Sequence, residues 1–173
     1  MTEIKLQKNL AGSILDIGGG GEGIIGRLYA DQVTAIDNRQ EELDEAPGAC
    51  MKLLMDATAL DFASDSFDHV TSFYTLIFMD SEEQRQAVEE AARVLKPGGM
   101  LHIWDCEIVS AWPEPFCVNL EISLPDERIT TTYGVGKQGS QDAQSMKRIC
   151  RDAGLFLVTE NRSDEGFHLV FRK

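Results

Sequence analysis

Apolar residues along this chain fall in short runs, and the stretches between them are polar or carry apolar positions at helical spacing. Short apolar runs bounded by turn residues read as strands, while apolar positions recurring at i, i+3 and i+4 read as one face of a helix. The pattern predicts strands near Ser13–Ile17, Gln32–Asp37, Ala49–Met55, Phe67–Phe73 and Met100–Cys106. It predicts helices near Gly23–Ala30 and Arg39–Glu45, the second stopped by Pro47-Gly48. Ser81–Leu95 is the clearest helix: Asp80-Ser81 supplies a cap, Glu82 and Glu83 suit its positive end, and Ala87, Val88, Ala91, Val94 and Leu95 form an apolar stripe. Lys96-Pro97-Gly98-Gly99 ends it sharply. A last helix, Gln141–Ala153, precedes a terminal hairpin of Leu155–Arg162 and Gly166–Arg172.

Strand and helix therefore alternate over short connections, which predicts an α/β fold with a mostly parallel sheet. One segment breaks the rhythm. Phe116–Leu124 and Arg128–Val135 flank Pro125-Asp126-Glu127 as two strands would flank a turn. This inserted hairpin carries Phe116, Val118, Ile122, Ile129, Tyr133 and Val135, more apolar side chains than a free ribbon keeps in water.

Composition adds bounds rather than identity. A chain of 173 residues reads as a single domain with enough length for a real core. Its four cysteines, Cys50, Cys106, Cys117 and Cys150, are scattered and form no C-x-x-C pair, so reduced cytoplasmic thiols are expected and a metal site is not. No apolar run reaches the roughly 20 residues of a membrane span, and the N-terminus lacks the apolar core of a secretory signal. A formal charge of −13 argues against a nucleic-acid partner, which needs clustered Lys and Arg.

The chemistry concentrates where the first strand ends. Asp16 leads into Gly18, Gly19, Gly20 and Gly21, then Glu22 and Gly23. Glycines after a strand let the backbone turn tightly and approach a ligand. The next strand ends in Asp37, where an acid can accept hydrogen bonds from both hydroxyls of a ribose. These residues describe a pocket for a nucleoside-bearing cofactor. Read as Gly18-x-Gly20-x-x-Gly23, the loop also fits a dinucleotide fold, although Asp16 stands where such strands keep an apolar residue.

Two further stretches, Met55-Asp56-Ala57 and Ala92-Arg93-Val94-Leu95-Lys96-Pro97-Gly98-Gly99, complete an ordered set. With them the chain, from about Ser13 to Asp105, resembles the class I S-adenosylmethionine-dependent methyltransferases. The resemblance implies a seven-stranded, mainly parallel Rossmann-like sheet with helices on both faces, here with the inserted hairpin. It implies S-adenosylmethionine as cofactor, held by the loop of Asp16, Gly18, Gly19 and Gly20. Asp37 would bind the ribose, Asn38 would lie against the adenine, and Asp56-Ala57 would bind its edge. Phe73 and Tyr74 would pass beneath the sulfonium. The chain departs from the family pattern at Glu22, where the third glycine would fall.

The methyl acceptor is read as a small molecule, with Tyr74, Asp105, Glu107 and Tyr133 as candidate contacts. The hairpin would cover the acceptor site or make a homodimer contact. No catalytic residue is assigned, because an activated methyl donor needs a base only when the acceptor must lose a proton. His102, mid-strand, reads as a packed core histidine. Two other readings stay open at this point: a non-catalytic module that binds the cofactor, and an NAD-dependent oxidoreductase.

Overall fold

The computed structural model describes residues 1–109, 112–136, 139–163 and 166–173. Seven strands form one sheet: β2 (Ile14–Ile17), β3 (Val33–Asp37), β4 (Met51–Leu54), β5 (Phe67–Phe73), β6 (Leu95–Cys106), β9 (Phe156–Arg162) and β10 (Gly166–Arg172). Their order is β4-β3-β2-β5-β6-β10-β9. β4, β3, β2, β5 and β6 run parallel, and β10 is antiparallel to both its neighbours, so the sheet is mixed at one end.

One face is covered by α3 (Ser81–Val94) and α4 (Ala143–Asp152). Ala87, Val88, Ala91 and Val94 of α3 and Ala143, Met146 and Cys150 of α4 share a core with Leu15, Val70, Leu101, Ile103 and Leu169. The start of α3 is fixed chemically. Asp80 accepts from the N–H groups of Glu82 and Glu83, each at 2.9 Å, and Glu83 accepts in return from the N–H of Asp80 at 2.8 Å. α3 stops one residue short of the expected end, and the chain passes directly into β6 at Leu95 rather than Met100. The residues between are absorbed as an irregularity in the β5–β6 register, with Gly98 at φ 79°.

The opposite face departs from expectation. Helices α1 (Ile24–Tyr29) and α2 (Gln40–Glu45) cover only part of it. The rest lies under a second sheet, β1-β7-β8, built from β1 (Thr2–Lys5), β7 (Phe116–Ser123) and β8 (Arg128–Val135). The hairpin is therefore no free ribbon. The N-terminal strand pairs parallel to β7, with Thr2 opposite Leu120, and this third strand was not predicted. Val118, Leu120 and Ile122 are buried against Ile24, Ile25, Leu28 and Tyr29 of α1. The apolar side chains that called for a partner are thus satisfied within the chain.

Among the described residues, no helix is long and apolar enough to cross a membrane.

Candidate functional site

The site lies at the carboxyl ends of β2, β3, β4 and β5, the edge where open α/β sheets bind ligands. A cavity of about 940 Å³ opens there, and Gly18, Gly20, Asp37, Asn38, Asp56, Ala57, Phe73, Tyr74 and Tyr133 all line it. Nine of the predicted residues are so brought together from four strands and the hairpin.

The glycine loop is tied down by its own backbone. The N–H groups of Gly18 and Gly19 both donate to Ile36 O on β3, at 2.8 and 3.0 Å. The N–H of Gly21 donates to Glu42 O at 2.8 Å and that of Gly23 to Gly20 O at 3.1 Å. A side chain at Gly20 has no room: its Cβ would sit 2.5 Å from Glu42 Cβ and 2.7 Å from Asp37 Oδ2. Gly20 therefore gives a ligand access to the Asp37 carboxylate. Asp37 Oδ1 accepts from the N–H of Arg39 at 3.0 Å, and Oδ2 has no protein partner among the described residues. Asp56, just past β4, holds Thr58 through Oδ1, with the N–H at 2.8 Å and Oγ1 at 2.7 Å, and is otherwise exposed.

Asp16 and Gly19 belong to the site without lining it. Asp16 is buried beneath the loop, and a Cβ on Gly19 would fall 2.7 Å from its Oδ2. Burial, opposed by the Thr71 hydrogen bond and reinforced by the charge of Asp37, lifts the Asp16 pKa to about 7.

Asp105 and Glu107 do not join them. Asp105 is completely buried, and its Oδ1 accepts from Gln141 Nε2 at 2.9 Å and from the N–H of Cys106 at 2.8 Å. Its parity on β6 matches Leu101 and Ile103, so it points to the face under α3 and α4. Glu107 is exposed and paired with Arg162 at 3.2 Å. The two acids expected to contact the acceptor thus serve elsewhere. Nor do the histidines reach the cavity. Trp104 and His168 stack directly at 4.1 Å, His102 lies beside the pair with ring centroids at 5.7 and 5.9 Å, and burial drives its pKa down to about 3.

Residues the sequence did not assign to the site also line it, among them Glu22, Arg27, Thr75, Phe78, Met79 and Glu83. Tyr74 adopts φ 51°, a left-handed conformation rare for a bulky residue, at the turn after β5. Its ring stacks on Tyr133 at a centroid distance of 5.9 Å, and Phe78 meets Tyr133 edge-on at 6.3 Å. The one available sequence signal for Glu22 was its intrusion into the glycine run.

The charge of the cavity decides among nucleoside cofactors. Glu22, Asp37, Glu42, Glu45, Asp56 and Glu83 line it against Arg27 and Arg39. Both arginines are already paired, with Glu127 at 2.8 Å and Glu42 at 2.9 Å. Four loop N–H groups that could cradle a pyrophosphate are spent internally. An acidic site with most of its loop amides engaged suits a cationic sulfonium and amine, and disfavours a dinucleotide. The residues present fit S-adenosylmethionine: a cradle without side chains, a free carboxylate oxygen on Asp37 and the polar Asp56-Ala57 turn.

Comparison with known proteins agrees. The sequence profile of the Methyltransferase domain family matches residues 15–103. Methyltransferase GfsG of Streptomyces halstedii is 38% identical over 71 residues, 37% of this chain and 25% of that protein. O-methyltransferase resE of Aspergillus sclerotiorum is 30% identical over 123 residues, 64% of this chain and 46% of that protein. The chain thus spans less than half the length of either relative. Among solved structures, the N-methyltransferase NodS of Bradyrhizobium japonicum WM9, in complex with S-adenosylhomocysteine, superposes with a TM-score of 0.63 at 17% identity, over 94% of this chain and 78% of that one. With the profile running from β2 into β6, across the strands whose ends build the cavity, this chain belongs to the class I S-adenosylmethionine-dependent methyltransferase family.

Proposed function

We propose that this protein transfers a methyl group from S-adenosylmethionine to a small-molecule acceptor. The observation that carries the reading is the Gly20–Asp37 cradle, opening on a cavity of about 940 Å³. That volume lies at the upper end of the roughly 300–1,000 Å³ typical of small-molecule sites, enough for a nucleoside and a modest second ligand.

When bound, S-adenosylmethionine supplies an electrophilic methyl on a positively charged sulfur. The chain's own part is to hold and to enclose. Asp37 would hold the ribose hydroxyls through its free oxygen, Asn38 and Ala57 would flank the adenine, and Phe73 and Tyr74 would form the floor. Tyr133 and Thr132, from the second sheet, close the acceptor side and limit water there. Positioning a nucleophile in line at near-attack distance provides most of what such a reaction needs. Burial and the neighbouring Glu22 carboxylate push the Tyr133 phenol far above its ordinary pKa, so it stays protonated and acts as a donor, not a base. The acid-rich walls favour a neutral or cationic acceptor and count against nucleic acid.

The reading includes a reducing, cytoplasmic setting, which the free thiols of Cys50, Cys106, Cys117 and Cys150 suit. Calorimetry with S-adenosylmethionine, S-adenosylhomocysteine and NAD, followed by an acceptor screen with labelled methyl donor, tests it. Binding of the first two with micromolar affinity, about −8 kcal/mol, is expected. Heat with NAD alone would overturn it, and cofactor binding without transfer to any acceptor would favour a binding module.

A further inference from the structure

Glu22 is the residue by which the glycine run departs from its family pattern, and it makes a connection that cofactor binding alone does not require. Its two carboxylate oxygens are both engaged by β8. Thr131 Oγ1 donates to Oε1, and Tyr133 OH donates to Oε2 at 2.9 Å. Thr131 and Tyr133 are two apart on one strand, so they present their hydroxyls to the same side. A second tie runs alongside. Arg27 Nε donates to Glu22 O at 2.6 Å, while Arg27 Nη1 holds Glu127, in the turn before β8, at 2.8 Å.

We propose that Glu22 is a positioning residue that couples the cofactor loop to the roof of the acceptor chamber. By taking both hydroxyls it seats the Tyr133 ring on Tyr74, just past the end of β5. Glu22 stands between Gly21 and Gly23, both at φ 57°, a backbone conformation that glycine adopts and leaves at little cost. The direction of its side chain therefore follows the path of the loop. A ligand seated in the loop adds to the backbone bonds that already hold that path, restrains Glu22 further, and through it Tyr133. Charge-assisted hydrogen bonds from two hydroxyls are strong enough to carry this coupling and specific enough to be lost with one side chain. The consequence is coupling: filling the cofactor side further restrains a roof that is already tied to the loop. The inference rests on the cofactor reading given above.

Hydrogen exchange followed by mass spectrometry, with S-adenosylhomocysteine as the probe, tests it. In the wild-type protein the ligand is expected to slow exchange in 116–135 as well as in 14–38. In Glu22→Ala the loop should still be protected while the hairpin response is lost. Tyr133→Phe, which keeps the Thr131 bond, should show a partial loss, so the test survives if Glu22→Ala folds poorly. Calorimetry adds a double-mutant cycle. Glu22→Ala and Tyr133→Phe should each weaken S-adenosylhomocysteine roughly threefold to tenfold, and the double variant no more than the worse single one. A purely structural role would lower the melting temperature of the free protein but leave the ligand-dependent change in the hairpin intact. Hairpin exchange indifferent to the ligand, or effects that multiply in the double variant, would overturn the coupling alone. Absence of any binding by the wild-type protein would overturn the cofactor reading as well.

Discussion

Asp16 and Thr71 lie opposite each other on adjacent strands β2 and β5 and share a 2.7 Å hydrogen bond out of reach of solvent. Thr71 Oγ1 is the donor, and it only partly offsets the cost of burying the carboxylate, whose pKa rises to about 7. The native state then binds a proton that the unfolded chain, with an ordinary carboxyl pKa near 3.8, has given up. The contribution of Asp16 to stability falls as pH rises from about 4 to about 7, and is flat above that. Asp16→Asn keeps the shape and removes the titration. The buried neutral histidines titrate alike in both proteins, so thermal melts of the free protein between pH 5 and 8 should show the difference between wild type and variant shifting against the wild type as pH rises to about 7 and staying constant above it. Cationic S-adenosylmethionine should reverse part of the decline, because a nearby positive charge favours the carboxylate.

Asp37→Ala should weaken S-adenosylmethionine by about 1.5–3 kcal/mol, since it removes a charged acceptor from the ribose. Among the described residues its carboxylate accepts one hydrogen bond, from the N–H of Arg39, at a half-exposed position, so the melting temperature of the free protein should move little. Calorimetry and melts of the same samples check both halves. Normal binding by a destabilised variant would assign Asp37 to structure.

Gly20→Ala asks about space instead of charge. The new methyl would press on Glu42 and on Asp37 Oδ2, at 2.5 and 2.7 Å before relaxation. Overpacking of this kind costs about 1–3 kcal/mol. The displaced carboxylate should lower cofactor affinity at least as much as it lowers stability. Measured together by calorimetry and urea titration, a loss confined to stability would show that the loop backbone does not approach the ligand at this position.

The sequence made the central sheet legible because each of its strands announces itself by an apolar run, and the chain alternates those runs with helices, of which α3 and α4 carry side-chain caps. The glycine loop, Asp37 and Asp56 were readable for the same reason: each directly follows a strand end. Asp105 follows the same rule in sequence and fails it in space. Its side chain shares the parity of Leu101 and Ile103, which turns it to the helix-covered face, where Gln141 takes it. Counting alternation along β6 would have separated it from Asp37. The strand Thr2–Lys5 could not be found this way, because its four residues carry no pattern of their own and gain meaning only beside β7. The roles of Glu22 and Arg27 depend on contacts with β8 and the turn before it, a hundred or more positions away, which no local pattern records.

The inserted hairpin is where expectation and structure differ most in their consequence. A lid made of β7 and β8 could be replaced by a short linker with the cofactor site left whole. The observed packing predicts otherwise. Leu120 and Ile122 are completely buried and Val118 is 4% exposed, in one core with Ile14, Ile24, Ile25, Val33 and Phe73. That core lies directly behind the glycine loop and α1. Leu120→Ala should therefore destabilise the protein by about 2–5 kcal/mol, the range for a truncated core leucine. Replacement of Val118–Thr132 by a Gly-Ser linker should abolish cooperative folding rather than merely uncover the acceptor site. Urea titration of the point variant and calorimetric melting of the deletion check this. A deletion variant that still melts cooperatively and binds S-adenosylhomocysteine would show that the second sheet is an accessory layer, and that α1 and the main sheet hold the cofactor site without it.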